Sequence, residues 1–381
     1  MIPPYRRPTT LARVNASVSY RRILTLAVSA VLLALFVYLG LTVQAPYVAF
    51  GPGPTVNTLD TVKIADGKGP DGKEKLKSVP VVDITGVPTD RTDGHLNLTT
   101  VSVTDGLSLF DALSMWASRR YALAPRESQY PPGQSTDQVR KQNAAQMTGS
   151  ELTAQAAALR QINRPTKLVI AGVGKNAPAA GALRVDDEVR AVAGTPVATV
   201  EQMQAAVRKH KPGDVADIDI VRNGQPQRVP VTLGKVDGKD GSGNDVSMTY
   251  LGVTPAVVNA DPALKINMNV GDIGGPSAGL MLSLAIVDRL TPGSLTGGKF
   301  IAGTGTISDE GKVGPIGGIT HKMEAAREEG ATVFLVPAGN CREALTDVPD
   351  GLTLVKVESL AGAISALNAT TVGKPAPSCA K

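Results

Sequence analysis

The chain has 381 residues, long enough for two or three domains of roughly 100–150 residues each. Hydrophobic residues make up 42% and charged residues 19%, which excludes a fully disordered chain. The 40 glycines and 27 prolines follow no triplet period, which excludes collagen and favours a loop-rich α/β body. Lys and Arg outnumber Asp and Glu by 39 to 34, but Arg6, Arg7, Arg13, Arg21 and Arg22 crowd the first 22 residues, where there is no acid. Without those five, the rest of the chain carries 34 charges of each sign. The basic excess is therefore an arm, and nucleic-acid binding by the body loses its electrostatic argument.

Residues 23–43, ILTLAVSAVLLALFVYLGLTV, hold no charge. As a helix rising 1.5 Å per residue they would cover about 30 Å, the hydrocarbon thickness of a bilayer. Five arginines precede the run, and the next charge is Asp60. The positive-inside rule then keeps residues 1–22 in the cytoplasm and sends everything after the span outside. A cleaved signal peptide is the rival reading. Val43 and Ala45 could flank a cut, but Pro46 would follow it, and the apolar run exceeds the usual 7–15 residues. Cys341 and Cys379 are the two cysteines, and an oxidising exterior would allow them to pair. Their spacing leaves that open.

Past the span, residues 46–163 read as a mixed α/β scaffold. Ala65–Lys75 is a polar loop, SVPVVDITGV and LNLTTVSV are strand-like, and Ser108 to Asp111 forms a capping box. Leu109, Leu113 and Trp116 follow it at helical spacing and read as core. A second helical stretch spans 136–162, nicked at Gly149.

Residues 164–236 alternate strand, turn and helix. LVIAGV and EVRAV are strands, EQMQAAVRKH is an amphipathic helix stopped by Pro212-Gly213, and a hairpin turns at Asn223-Gly224. With Pro178–Leu183, Asp186-Asp187, Gly194, Pro212–Asp214 and Arg222–Gly224 in order, the segment resembles a PDZ domain of the kind attached to bacterial proteases. Such domains bind extended peptide ends by adding a strand to a sheet edge. Tyr250–Val253 has the letters of a carboxylate-binding loop but follows the domain, so no peptide-binding residue is assigned. A Gly- and Lys-rich stretch, 237–248, reads as a linker.

Residues 249–368 form an α/β unit, followed by a polar tail over 369–381. Within the unit, Gly274-Gly275-Pro276 places Ser277 at a helix entry, where outward-pointing amides favour developing negative charge. Ser277 could attack a carbonyl there, or simply cap the helix. Three histidines, His95, His210 and His321, are a thin supply for a triad or a zinc site. On the helix that follows, Ile319, Met323, Ala326 and Gly330 form the inner stripe, with Lys322 about 60° from its centre. Desolvation there would lower the pKa of Lys322 and make it a neutral base. Geometry alone favours a boundary lysine that reaches water.

The segment resembles the proteolytic domain of the Lon peptidase family, on two blocks. Gly275-Pro276-Ser277-Ala278-Gly279 matches the nucleophile block. Thr304–Ile307, Gly311–Ile319, Lys322 and Ala325-Ala326 match the block that holds the catalytic lysine, 45 residues beyond the serine. The resemblance implies Ser277 as nucleophile, Lys322 as general base and Thr304 as a supporting residue that orients the lysine. It departs at Gly274, where the family commonly carries an acid, and Asp272 is not equivalent to that position. Gly67–Lys73 and Gly293–Lys299 have the letters of a phosphate loop but continue with Glu74 and Phe300 in place of Ser or Thr, so ATP binding is not expected. Ser378–Lys381 spells S-x-x-K in a proline-bearing tail and is set aside.

The expected fold is multidomain: an N-terminal transmembrane helix, a mixed α/β region, a PDZ-like β-rich domain and an α/β Lon-type protease domain. The resemblance implies an ATP-independent serine endopeptidase of a bacterial cytoplasmic membrane, without cofactor or metal, acting on protein or peptide substrates. It implies a homo-oligomer and suggests a hexamer. The competing reading is an inactive PDZ-containing adaptor or assembly protein at the membrane.

Overall fold

The computed structural model describes residues 12–68, 74–239, 244–271 and 273–379. Arg6 and Arg7 of the arm, the lysine end of Gly67–Lys73, the middle of the 237–248 linker, Asp272 and Ala380-Lys381 lie outside the described residues. The chain forms two units, Met1–Gly51 with Ser102–Gly133, and Pro52–Val101 with Gln134–Lys381.

The first unit is built on helix α1, Ala12–Thr42. Its Tyr20–Thr42 stretch is one helix long and apolar enough to cross a membrane, and its side chains are exposed. The capping box forms as expected: Ser108 Oγ accepts from the Asp111 amide at 3.1 Å, and Asp111 Oδ2 accepts from the Ser108 amide at 3.1 Å. It starts helix α2, Leu109–Ser118. The side buried is the one bearing Ala112, which packs with Ala45, Ala49 and Leu107 while Met115 leans on them. Leu109, Leu113 and Trp116 are therefore not core, as their spacing had suggested. They are 44%, 58% and 66% exposed. Alternating strand residues 47–50 pair antiparallel with Ala122–Pro125.

The second unit holds two sheets. In the first, strands Thr353–Val357, Val333–Pro337, Phe300–Gly303 and residues 95–101 run parallel in that order, with residues 52–57 next. Central parallel strands are covered on both faces, which is why VFLVP reads as an unbroken apolar run. Ile301, Val333 and Leu335 face one core with helix α3, Thr136–Gln161, and helix α5, Gly279–Leu290. Ala302, Phe334 and Val336 face the other core with helix α6, Ile319–Glu328. Two of the strands, 95–101 and 52–57, come from the segment read as scaffold, so this layered unit begins well before residue 249. Helix α3 runs through Gly149 without a break.

The second sheet has the order Gln225–Thr232, Val215–Arg222, Glu188–Val192, Thr166–Val173, Val253–Asn259. Helix α4, Val200–Arg208, covers it through Met203, Ala206 and Val207. Asn223 and Gly224, at φ 51° and 78°, make the expected two-residue hairpin turn. Buried Asp187 accepts two bonds from Arg222, at 2.7 and 2.6 Å, and one from the Arg184 amide, which fixes the Asp186-Asp187 turn. The sheet continues past residue 236: Val253–Asn259 pairs antiparallel with Thr166–Val173, and Leu251 and Val257 enter its core. The stretch read as a linker is a hairpin, Gly234–Lys239 with Asp245–Tyr250, in which Val236 lies opposite Met248. Ala65–Lys68 and Glu74-Lys75, read as loop, likewise belong to the paired strands Thr61–Lys68 and Glu74–Pro80.

Cys341 and Cys379 form a disulfide, and Pro377 O accepts from the Lys356 amide at 2.9 Å, holding the tail along the last strand.

Candidate active site

Ser277 lies in a short 3₁₀ turn, Pro276–Ala278, that leads into α5. The turn starts at Gly275, whose φ of 92° and ψ of 165° fall in a region essentially reserved for glycine. From the other side α3 holds the turn: Asn143 O accepts from the Gly275 amide at 3.0 Å, and Ser150 Oγ donates to Pro276 O at 3.2 Å. Behind the serine, Ser277 O accepts from both the Gly305 amide, at 2.9 Å, and Thr304 Oγ1, at 3.0 Å. Among the described residues no side chain caps this turn or α5, so the capping reading of Ser277 gives way to another contact.

That contact is Lys322. The side chain is 3% exposed and crosses from α6 to the carboxyl end of strand Phe300–Gly303. Its Nζ lies 2.8 Å from Ser277 Oγ, 3.0 Å from Thr304 Oγ1 and 3.0 Å from the Thr99 carbonyl oxygen. Burial lowers its pKa from the ordinary 10.5 to about 8. Lys322 thus does not reach water, as geometry on the isolated helix favoured. Ile319 and Met323 beside it are wholly buried, and the packing of α6 leaves its stem one direction, inward.

The arrangement has a chemical consequence. A neutral amine has two N–H bonds and one lone pair. Thr304 Oγ1 and Thr99 O accept the two hydrogens, which aims the lone pair at the Ser277 hydroxyl. Ser277 and Lys322 open on a cleft of about 430 Å³ lined also by Thr100, Val101, Pro276 and Thr306.

The structure therefore brings Ser277, Lys322 and Thr304 together. It adds Thr99, which the sequence reading missed because a main-chain acceptor leaves no side-chain signature, and Asn143 and Ser150, which sat in a helix read as scaffold. Burial lowers the pKa of His321, against the opposing charges of Glu324 and Glu343. His95 stacks on Phe300, with ring centroids 4.4 Å apart.

A second cleft, of about 330 Å³, runs between α4 and strand Val253–Asn259. Met203, Gln204, Val207 and Arg208 line one side, and Tyr250, Leu251, Gly252 and Val253 the other. The letters set aside as following the domain lie across a groove from its helix. At Gly293–Lys299, the Gly293 amide donates to Asp90 Oδ2 at 2.7 Å and Lys299 Nζ donates to Thr370 O at 2.6 Å, so the cation meets a carbonyl where a phosphate loop would offer it to an anion.

Residues 138–233 match the model of the PDZ domain, and residues 258–367 match the Lon protease (S16) C-terminal proteolytic domain. Lon protease 2 of Herpetosiphon aurantiacus is 38% identical over 90 residues, 23% of this chain and 11% of that relative. The Lon protease of Phenylobacterium zucineum is 35% identical over 121 residues, 30% of this chain and 15% of the relative. The chain thus spans a small part of the length of the curated relatives it matches. The PDZ domain of an SdrC-like protein from Listeria monocytogenes aligns at 18% identity and a TM-score of 0.20, over 23% of this chain and 86% of that one. One segment of the chain thus matches a PDZ domain and another, after it, matches the Lon proteolytic domain.

Proposed function

We propose that this protein is a membrane-anchored serine endopeptidase that works outside the cytoplasmic membrane without ATP, with a Ser277–Lys322 dyad. The observation that carries the reading is the 2.8 Å approach of a buried Lys322 Nζ to Ser277 Oγ. Neutral Lys322 takes the Ser277 proton as Oγ attacks a peptide carbonyl. Backbone amides entering α5 are the candidates to hold the oxyanion. The ammonium of Lys322 then returns its proton to the leaving amine, leaving an acyl-enzyme. Water, deprotonated by the same lysine, hydrolyses that ester and frees Ser277. Thr304 and the Thr99 carbonyl orient the amine throughout.

The exterior location rests on the five arginines before an apolar helix, and on the Cys341–Cys379 disulfide, which suits an oxidising compartment. The PDZ domain would present protein chain ends or apolar tails, in the groove beside α4. Assembly into a homo-oligomer, with a hexamer as the first size to test, is part of the same reading.

The test is cleavage of an unfolded protein by the full chain in lipid nanodiscs, without ATP. Cleavage by the parent and none by Ser277→Ala or Lys322→Ala is the expected result. Equal cleavage by all three overturns the dyad, and no cleavage by a folded parent that also resists a serine-reactive probe overturns the peptidase reading in favour of an adaptor.

A further inference from the structure

Helix α2 carries an apolar arc that no described residue of its unit covers. Trp116, Leu109 and Leu113 stand at about 340°, 0° and 40° around the helix axis, with Ala117 and Phe110 continuing to about 100°. Asp111, Ser114 and Ser118 occupy the opposite side. Leu109, Leu113 and Trp116 are 44%, 58% and 66% exposed, although the same unit has a small core that could have taken them. That core takes Ala112 instead.

What sets the depth of this arc is its attachment to α1. Phe110, at the edge of the arc, packs edge-to-face on Phe36 with ring centroids 5.4 Å apart. Gly40 supplies the gap the same ring fills, since a Cβ there would overlap it. Backbone bonds fix the joint: the Leu109 amide donates to Val43 O at 3.2 Å, and the Ala45 amide donates to Leu107 O at 2.8 Å. Gly40 and Phe36 stand two and six residues short of the end of α1 at Thr42, or about 3 and 9 Å along its axis. An element bound to those residues cannot sit above a bilayer that α1 spans. It lies at the boundary between headgroups and acyl chains, which reaches about 5–10 Å into the leaflet.

We infer that α2 is an interfacial helix, seated in the outer leaflet with Leu109, Leu113 and Trp116 facing lipid and the Asp111–Ser118 side facing water. The partner is the bilayer itself. Tryptophan suits this position because its indole has an apolar body and a polar N–H. The inference rests on the anchor reading given above, and it turns the attachment into two contacts: a span and a second helix beside its outer end. A single span leaves the body free to swivel, and a helix seated in the leaflet limits that freedom.

Trp116 is the one tryptophan in the chain, so its fluorescence reports this helix alone. The full chain would be reconstituted in phosphatidylcholine vesicles with plain or brominated acyl chains. Trp116 emission is expected to fall at least about twofold in the brominated lipid and to resist aqueous acrylamide. A double variant, Trp116→Phe with Phe36→Trp, moves the fluorophore into α1 and reports the span separately. Quenching of that variant with no quenching of Trp116 in the parent overturns the inference and leaves the anchor standing. No quenching of either protein overturns the anchor as well. Trp116 shielded from both brominated lipid and acrylamide, with the double variant quenched, identifies protein as the cover, a second copy included, and also overturns it.

Discussion

A lysine can act as a base near neutral pH only if its environment disfavours the ammonium, and at Lys322 burial alone does this. Two measurements follow from the value of about 8. First, kcat/KM should rise with pH and level off above about 8, the pH at which the free enzyme loses that proton. Second, stability is linked to the same proton. An unfolded lysine holds it up to its ordinary 10.5, while the folded one has released it by about 8. Between those values the unfolded state binds more protons, so stability rises with pH, by about 3 kcal/mol over the window. Below pH 8 the penalty is present in full. In Lys322→Met, denaturant midpoints measured from pH 7 to 11 should lose this rise. On the proposed mechanism Thr304 acts through the lysine. Thr304→Val, which removes the acceptor at 3.0 Å, should lower kcat about ten- to a hundredfold with little change in KM, and Thr304→Ser should restore most of it. Ser277, Lys322 and Thr304 were legible as letters because each is a side chain within a recognisable block. Thr99 was not, because its contribution is a carbonyl oxygen set by the neighbouring strand.

At the scale of elements, the serine turn and the PDZ helix are each held by a neighbour distant in sequence. A Cβ at Gly275 would meet nothing, so Gly275→Ala costs only the strain of φ 92°, about 1–3 kcal/mol. That strain is relieved by moving the turn, and labelling of Ser277 by a serine-reactive probe should slow more than the melting temperature suggests. The start of α4 rests on the hairpin that follows Thr306. Asp309 Oδ2 accepts from the Val200 amide at 2.9 Å, Glu310 Oε1 accepts from Thr199 Oγ1 at 2.7 Å, and Lys312 Nζ meets Glu201 at 2.6 Å. Thr306 lines the cleft at Ser277, and the hairpin it starts bonds to the first turn of α4, the helix that lines the second cleft. Loss of the buried acceptor in Asp309→Ala should cost about 1 kcal/mol and speed hydrogen exchange at Val200 about fivefold. Helices α2, α4 and α6 were legible from caps and apolar period. The inner stripe read on α6 is the face it buries, with Ile319, Met323 and Ala326 inside, but the buried face of α2 was not legible: period marks an apolar stripe but does not say whether protein or lipid covers it.

For the whole molecule, the disulfide joins positions 38 residues apart and ties the tail into a core with Phe334, Val336 and Leu354. On the chain-entropy model a loop of that length is worth about 4 kcal/mol. The Cys341→Ser, Cys379→Ser pair should therefore lower stability by about that much while leaving the pH profile of the dyad in place, because the disulfide touches neither Ser277 nor Lys322. A thermal melt with and without reductant checks the first part.

The amino-acid sequence by itself determined what depends on contiguous residues. A charge-free run of bilayer length shows a candidate span, Asn223-Gly224 shows a hairpin, and two ordered blocks show where a serine and a lysine stand. Tertiary structure decided what depends on residues brought together from afar. It carried strands 52–57 and 95–101 into the sheet beside the Ser277 cleft, and Val253–Asn259 into the sheet covered by α4. It also turned the Lys322 stem inward, past Thr99, to Ser277. The reason is physical: a strand's hydrogen-bonding partner and a side chain's dielectric surroundings are properties of the packed neighbours, and no local run of letters records them.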